Sequence, residues 1–112
     1  MNPLALFEIE KYYPLAFEKI EKHKEDIIFS MISANLEKGI TEGLYRKDVD
    51  VTILSRYRLE TSLIPFNIHV FHPSKFDLLK VNLQIIEHFV YGVATLEGHK
   101  LMDAYKLSIH TK

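Results

Sequence analysis

The chain has 112 residues, of which 47% are hydrophobic, and its 14 Lys and Arg against 15 Asp and Glu leave a net charge of −1. This length fits a single domain with a real core, and the near-neutral balance argues against a nucleic-acid surface spread over the whole chain. Cysteine is absent, which excludes disulfides, thiol catalysis and Cys-ligated zinc. No apolar run reaches the roughly 18 residues of a membrane helix, and the acidic N-terminus lacks the order of a secretion signal. We therefore expect a cytoplasmic protein without membrane contact.

The N-terminal part of the sequence predicts a short helix followed by a long one. Asn2-Pro3 is typical of an N-cap with proline at the first helical position, so the short helix is expected to end near Tyr12. Pro14 restarts the chain, and apolar residues at spacings of three, four and seven predict a helix to about Glu42. These residues form one stripe that we expect to be buried: Phe17, Ile20, Ile27, Ile28, Met31, Ile32, Leu36 and Ile40.

Two glycines near the end of this long helix have different expected roles. Gly43 stands where a left-handed residue would end the helix. Gly39 lies inside the helical pattern, where glycine is unfavourable relative to alanine by about 1 kcal/mol. We therefore expect another group to pack closely against Gly39.

The rest of the chain predicts three more helices. Asp48 or Asp50 is expected to cap a helix over about 51–64, which Pro65 ends. The connection at 65–73 is unusually apolar for a loop. Ser74-x-x-Asp77 resembles a capping box that opens a long helix over about 76–93. Thr95 is expected to cap a last helix over about 96–108.

The helix at 76–93 is too apolar for the surface of a monomer. At about 100° per residue, five of its polar side chains share a stripe only about 80° wide, and they are Asp77, Lys80, Gln84, Glu87 and Tyr91. It is therefore either a central helix surrounded by the others or a helix that packs on its own core and on a symmetry mate. We favour the symmetry mate, and the predicted dimer interface is Leu79, Leu83, Ile86 and Val90.

The sequence offers no catalytic or metal motif. His69 and His72 are three residues apart, but the proline-bounded segment that holds them is not expected to be helical, and surface or capping roles explain them. There is no nucleophile elbow and no glycine-rich phosphate loop. We therefore predict that the protein is not an enzyme and has no cofactor or bound metal.

A small-molecule pocket is the remaining functional feature. Aromatic and polar residues of the helix at 51–64, including Arg56 and Arg58, and of the connection after it can converge between helices, where ligands commonly bind. Taken one at a time, ordinary core packing explains most of these aromatic residues. The predicted ligand-binding residues are Tyr57, Phe66, His69 and Phe89.

Two segments carry a resemblance to a known family. Residues 35–48, NLEKGITEGLYRKD, resemble the N-x-x-x-G-I-x-x-G-L-Y/F-R-x-D stretch of tetracycline-repressor-like (TetR/AcrR) transcriptional regulators. Residues 92–101, GVATLEGHKL, are similar to the G-x-A-T-x-x-G-x-x-L segment of a subset of them. The resemblance implies an all-α, five-helix orthogonal bundle spanning 1–112, which serves as the C-terminal regulatory and dimerisation domain of a homodimeric regulator.

The resemblance also implies partners for this domain. An unknown small-molecule effector would bind it, and operator DNA would be contacted only through an N-terminal helix-turn-helix domain whose pattern does not occur in this sequence. We expect this sequence to be a truncated piece of such a regulator rather than a free-standing relative. Two alternatives remain: a stand-alone helical interaction protein without ligand, and a metal-binding helical bundle.

Overall fold

The computed structural model describes residues 11–110, and its regular structure over that range is helical. The helices are α1 (Pro14–Thr41), α2 (Val51–Thr61), α3 (Leu78–Val93) and α4 (Leu96–His110), with a 3-10 turn at Ile64–Phe66 between α2 and α3. No strand occurs in this part of the chain, which confirms the all-α class there. The predicted short helix at 2–12 falls almost entirely outside the described residues.

Helix α2 begins where its sequence predicts and ends earlier. The Asp50 carboxylate caps it by accepting from the Ile53 N–H (3.0 Å), whereas the alternative cap, Asp48, pairs with Arg46 instead. The hydroxyls of Thr61 and Ser62 bond back to carbonyls of the last turn, which competes with helix continuation. Pro65 also lacks the N–H that would extend the ladder, so α2 stops at Thr61 rather than at residue 64.

The starts of α3 and α4 test the two other predicted caps. Asp77 caps α3, since its carboxylate accepts from the N–H groups of Leu79 (2.9 Å) and Lys80 (3.3 Å). The predicted capping box that begins at Ser74 is wrong, because Ser74 instead donates its N–H to His72 Nδ1 (3.1 Å) in a preceding turn. Thr95 caps α4 as predicted, with its hydroxyl oxygen accepting from the Gly98 N–H at 3.1 Å.

Helix α1 is much longer than the helix that packs on it most extensively. Its 28 residues extend about 42 Å, whereas the 11 residues of α2 extend about 16 Å. Leu36, in the covered part, is fully buried, but Ile27, Ile28 and Met31 are exposed. The expected burial of the whole α1 stripe is therefore wrong for these three residues, and the side chain of Phe17 lies outside the described set.

The turn after α1 is joined to the α3–α4 junction through the backbone. Arg46 N–H donates to the Val93 carbonyl (2.8 Å), and Thr95 N–H donates to the Leu44 carbonyl (2.9 Å). Gly43 has a φ of 76°, as expected for a left-handed helix end. The expected close neighbour of Gly39 is the Tyr45 ring, which an added Cβ would overlap. The two segments that carry the family resemblance therefore contact each other here.

The described core is small for the length of the chain. Its buried apolar side chains are Leu36, Leu59, Val81, Val93 and Ala94.

Candidate ligand-binding and dimer surfaces

The predicted dimer residues share one face of α3. Leu79, Leu83, Ile86 and Val90 are spaced by four, three and four residues, so they lie on a stripe about 60° wide, which we call the α3 stripe. Leu79 is 67% exposed, Leu83 54% and Ile86 36%, while Val90 is half-buried. A continuous row of exposed aliphatic side chains is more often covered by a partner than left in contact with solvent.

The polar side of α3 packs against α4. The Glu87 carboxylate pairs with Lys106, and the Tyr91 hydroxyl donates to the Asp103 carboxylate. The hydrogen bond to Asp103 raises the pKa of Tyr91, and the hydrogen bond to Glu87 raises the pKa of Lys106. Part of the narrow polar stripe therefore makes contacts inside the chain, whereas three of the four residues of the α3 stripe remain exposed.

Tyr57 and Phe89 line one cleft together. Their rings are stacked, with centroids 6.2 Å apart and planes 26° apart. This aromatic cleft lies between α2 and α3 and has a volume of about 400 Å³. Its polar groups are amide, hydroxyl and imidazole, supplied by Gln84, Thr61, Tyr57 and His88. Such an apolar cleft with a few polar groups is suited to a small organic ligand.

The structure separates Phe66 and His69 from the aromatic cleft. Phe66 lines a second, apolar cleft of about 390 Å³ beside the N-terminal end of α3. His69 is exposed, its N–H donates to Asn67 Oδ1 (2.9 Å), and its side chain lines neither cleft. The 3-10 turn and the turns after it carry these two residues away from Tyr57. The structure therefore brings together two of the four predicted ligand residues.

A third cleft contains Arg58, which the sequence analysis grouped with Arg56 but did not include among the four predicted ligand-binding residues. It lies between α1, α2 and α3, has a volume of about 360 Å³ and includes Arg58, and we call it the Arg58 cleft. The Arg58 Nη1 atom is buried without a hydrogen-bond partner among the described residues, and its guanidinium carbon lies 5.9 Å from the Phe89 ring centroid. Burial lowers the pKa of Arg58 and, across the same cleft, raises that of Tyr45. The sequence placed Arg56 and Arg58 near Tyr57 but could not tell which of them is desolvated.

Between residues 11 and 110, no three His, Asp or Glu side chains come together as a set of metal ligands. None of the helices in this range is long and apolar enough to cross a lipid bilayer.

Comparisons with known proteins identified no relative of this chain. No family model, no curated protein and no solved structure matches this chain.

Proposed function

We propose that this chain is the effector-sensing and homodimerisation module of a transcriptional regulator that resembles the TetR family. An N-terminal helix-turn-helix domain of the parent protein would bind operator DNA. A small-molecule effector in a cleft of the present domain would change that binding by favouring one arrangement of the dimer over another. A five-helix bundle of the TetR type is part of the same proposal.

The observation that carries the proposal is the exposed α3 stripe. Three of its four aliphatic side chains face solvent in the single chain, although a helix of this composition is usually covered. A second copy would cover it through a two-fold interface, in which the same residues of both copies meet.

The clefts beside α3 support the sensing part of the proposal. Phe89 borders both the aromatic cleft and the Arg58 cleft, and the Arg58 cleft also contains Ile86 and Val90 of the α3 stripe. A ligand in the Arg58 cleft would therefore lie against residues that we assign to the dimer interface. This arrangement provides a direct contact through which a ligand could act on the dimer.

The dimer is tested by placing a charge in the stripe. We expect sedimentation equilibrium at tens of micromolar to give the wild-type chain a mass of about 26 kDa, twice its 13.1 kDa. Ile86→Glu buries a carboxylate in the proposed interface and is expected to reduce the mass to that of one chain. Leu63→Glu is the matched control, because Leu63 is 55% exposed but lies outside the stripe. A wild-type chain that stays monomeric, or equal masses for the two variants, would contradict the proposal.

The regulatory role is tested by the codons upstream of Met1. A helix-turn-helix encoded in frame before this codon is the expected result, and the joined protein should bind DNA as a dimer. A frame interrupted by a stop codon, with no such domain before it, would contradict the regulatory role.

One observation favours a second candidate, a helical interaction protein without ligand. The exposed Ile27, Ile28 and Met31 give α1 an uncovered apolar face of its own. This candidate predicts that no small molecule stabilises the protein in a thermal-shift screen, whereas the sensing module predicts stabilisation by a compound that enters a cleft.

A further inference from the structure

The Arg58 cleft combines an apolar wall with a single cation. Its aliphatic wall comes from two helices, with Ile32 and Leu36 on α1 and Ile86 and Val90 on α3. Arg58 is the one charged residue among the described residues that line it. The other polar side chains there pair with each other, since the Tyr45 hydroxyl donates to Asn35 Oδ1 at 3.2 Å.

One nitrogen of the Arg58 guanidinium lacks a hydrogen-bond partner within residues 11–110, although the residue as a whole is only half-buried. Its Nη1 is buried and makes no hydrogen bond among the described residues. Buried polar atoms are almost always hydrogen-bonded, so this N–H group is available to an acceptor that enters the cleft. Arg56 provides the contrast, because it lies two residues earlier on α2 and pairs with Glu60 at 2.9 Å.

We propose that the Arg58 cleft binds an amphipathic carboxylate with an aliphatic body. The carboxylate would accept hydrogen bonds from the Arg58 guanidinium, whose planar fork matches the two carboxylate oxygens. The aliphatic body would lie against the walls from α1 and α3, where it leaves water for an apolar surface. This inference rests on the proposed function in one respect, namely that the ligand is the effector of the sensing module.

The experiment measures the affinity of the full 112-residue chain for three compounds with the same aliphatic body. Octanoate, 1-octanol and octylammonium are titrated into the protein by isothermal calorimetry. Hydrogen bonds to a charged group should make octanoate bind about tenfold to a hundredfold more tightly than octanol. Octylammonium should bind most weakly, because its charge repels that of Arg58.

Two variants of α2 separate the role of Arg58 from general changes in the fold. Arg58→Met keeps a long apolar stem and removes the cation, so it should lose the preference for octanoate and keep the affinity for octanol. Arg56→Met is the matched control and should bind all three compounds as the wild type does. Arg58→Lys, which keeps a charge but not the fork, should retain part of the preference and provides a second variant if Arg58→Met does not fold.

Three results would overturn the proposal. The first is equal affinity of the wild type for octanoate and octanol, or no binding of either. The second is an Arg58→Met variant that still prefers octanoate. The third is a wild-type chain that does not bind octanoate, together with an Arg58→Met variant that no longer self-associates. These two results would mean that a carboxylate of a second copy occupies the site beside Arg58. None of these results contradicts the proposed dimer. The dimer is contradicted instead if the wild-type protein has the mass of one chain.

Discussion

Replacing Gly39 by alanine tests the contact that joins α1 to the turn after it. Alanine normally stabilises a helix interior by about 1 kcal/mol relative to glycine. At Gly39 the new Cβ would overlap three atoms of the Tyr45 ring. The ring cannot easily move away, since the Tyr45 N–H donates to the Gly39 carbonyl (3.0 Å) and its hydroxyl donates to Asn35.

The expected magnitude follows from the balance of these two effects. Overpacking commonly costs about 1–3 kcal/mol, and the gain in helix propensity offsets about 1 kcal/mol of that cost, so we expect Gly39→Ala to lower the free energy of unfolding by up to about 2 kcal/mol. Gly92→Ala is the matched control, because Gly92 lies near the end of α3 with nothing within 4 Å of an added Cβ. It should raise the free energy of unfolding by about 0.5–1 kcal/mol.

Circular dichroism during urea denaturation measures both variants at one protein concentration, since stability depends on concentration in a dimer. A double-mutant cycle with Tyr45→Ala completes the test. Without the ring, the Gly39→Ala substitution should become neutral or stabilising. Equal stabilisation by Gly39→Ala and Gly92→Ala in the wild-type background would refute the close packing described here.

Three further predictions concern helix ends and pH. Thr95→Val removes the cap on Gly98 and should lower stability by about 1 kcal/mol in denaturant titrations, and unchanged stability would show that the cap is not formed. Asp77→Ala should have a similar effect, measured in the same way, because it leaves the first N–H groups of α3 without their acceptor. The Asp103 hydrogen bond raises the pKa of Tyr91 above 10.0, so its stabilisation is present below about pH 10 and is lost as the pH rises through the folded-state pKa. Melting temperatures from about pH 9 to about pH 11 should therefore fall less in Tyr91→Phe than in the wild type, and parallel curves would contradict this assignment.

Most of the helix ends could be predicted from residues that lie close to them in the sequence. Gly43, Asp50 and Thr95 act through their own backbone conformation or through groups two to four residues away, so their roles can be read along the chain. The capping role predicted for Ser74 is wrong because the start of α3 offers two side chains that could act as its N-cap. Asp77 caps the helix, and Ser74 pairs with His72. The α3 stripe was also visible in the sequence, since its spacing alone places four aliphatic residues on one face.

The clefts depended on tertiary packing that the sequence does not specify locally. Periodicity predicted a buried stripe along α1 but carried no information on how far the shorter α2 would cover it. In the same way, His69 and Tyr57 were both reasonable pocket residues until the turns after α2 separated them. Arg58 and Arg56 are chemically identical, and only the packing of α1 and α3 around α2 determines which of them lines a cleft.

Cysteine scanning of the α3 stripe tests the proposed dimer most directly. The wild-type chain has no cysteine, so a single substitution introduces the only thiol. Residues close to a two-fold axis face their own copies, and a disulfide forms when the two Cα atoms are about 4–7 Å apart.

The scan replaces Leu79, Leu83, Ile86 and Val90 one at a time, with Leu63→Cys as the exposed control outside the stripe. Mild oxidation should give a covalent dimer on a denaturing gel for at least one stripe position and much less for Leu63→Cys. If every stripe variant stays monomeric, or if Leu63→Cys forms the dimer equally well, α3 does not meet a second copy of itself.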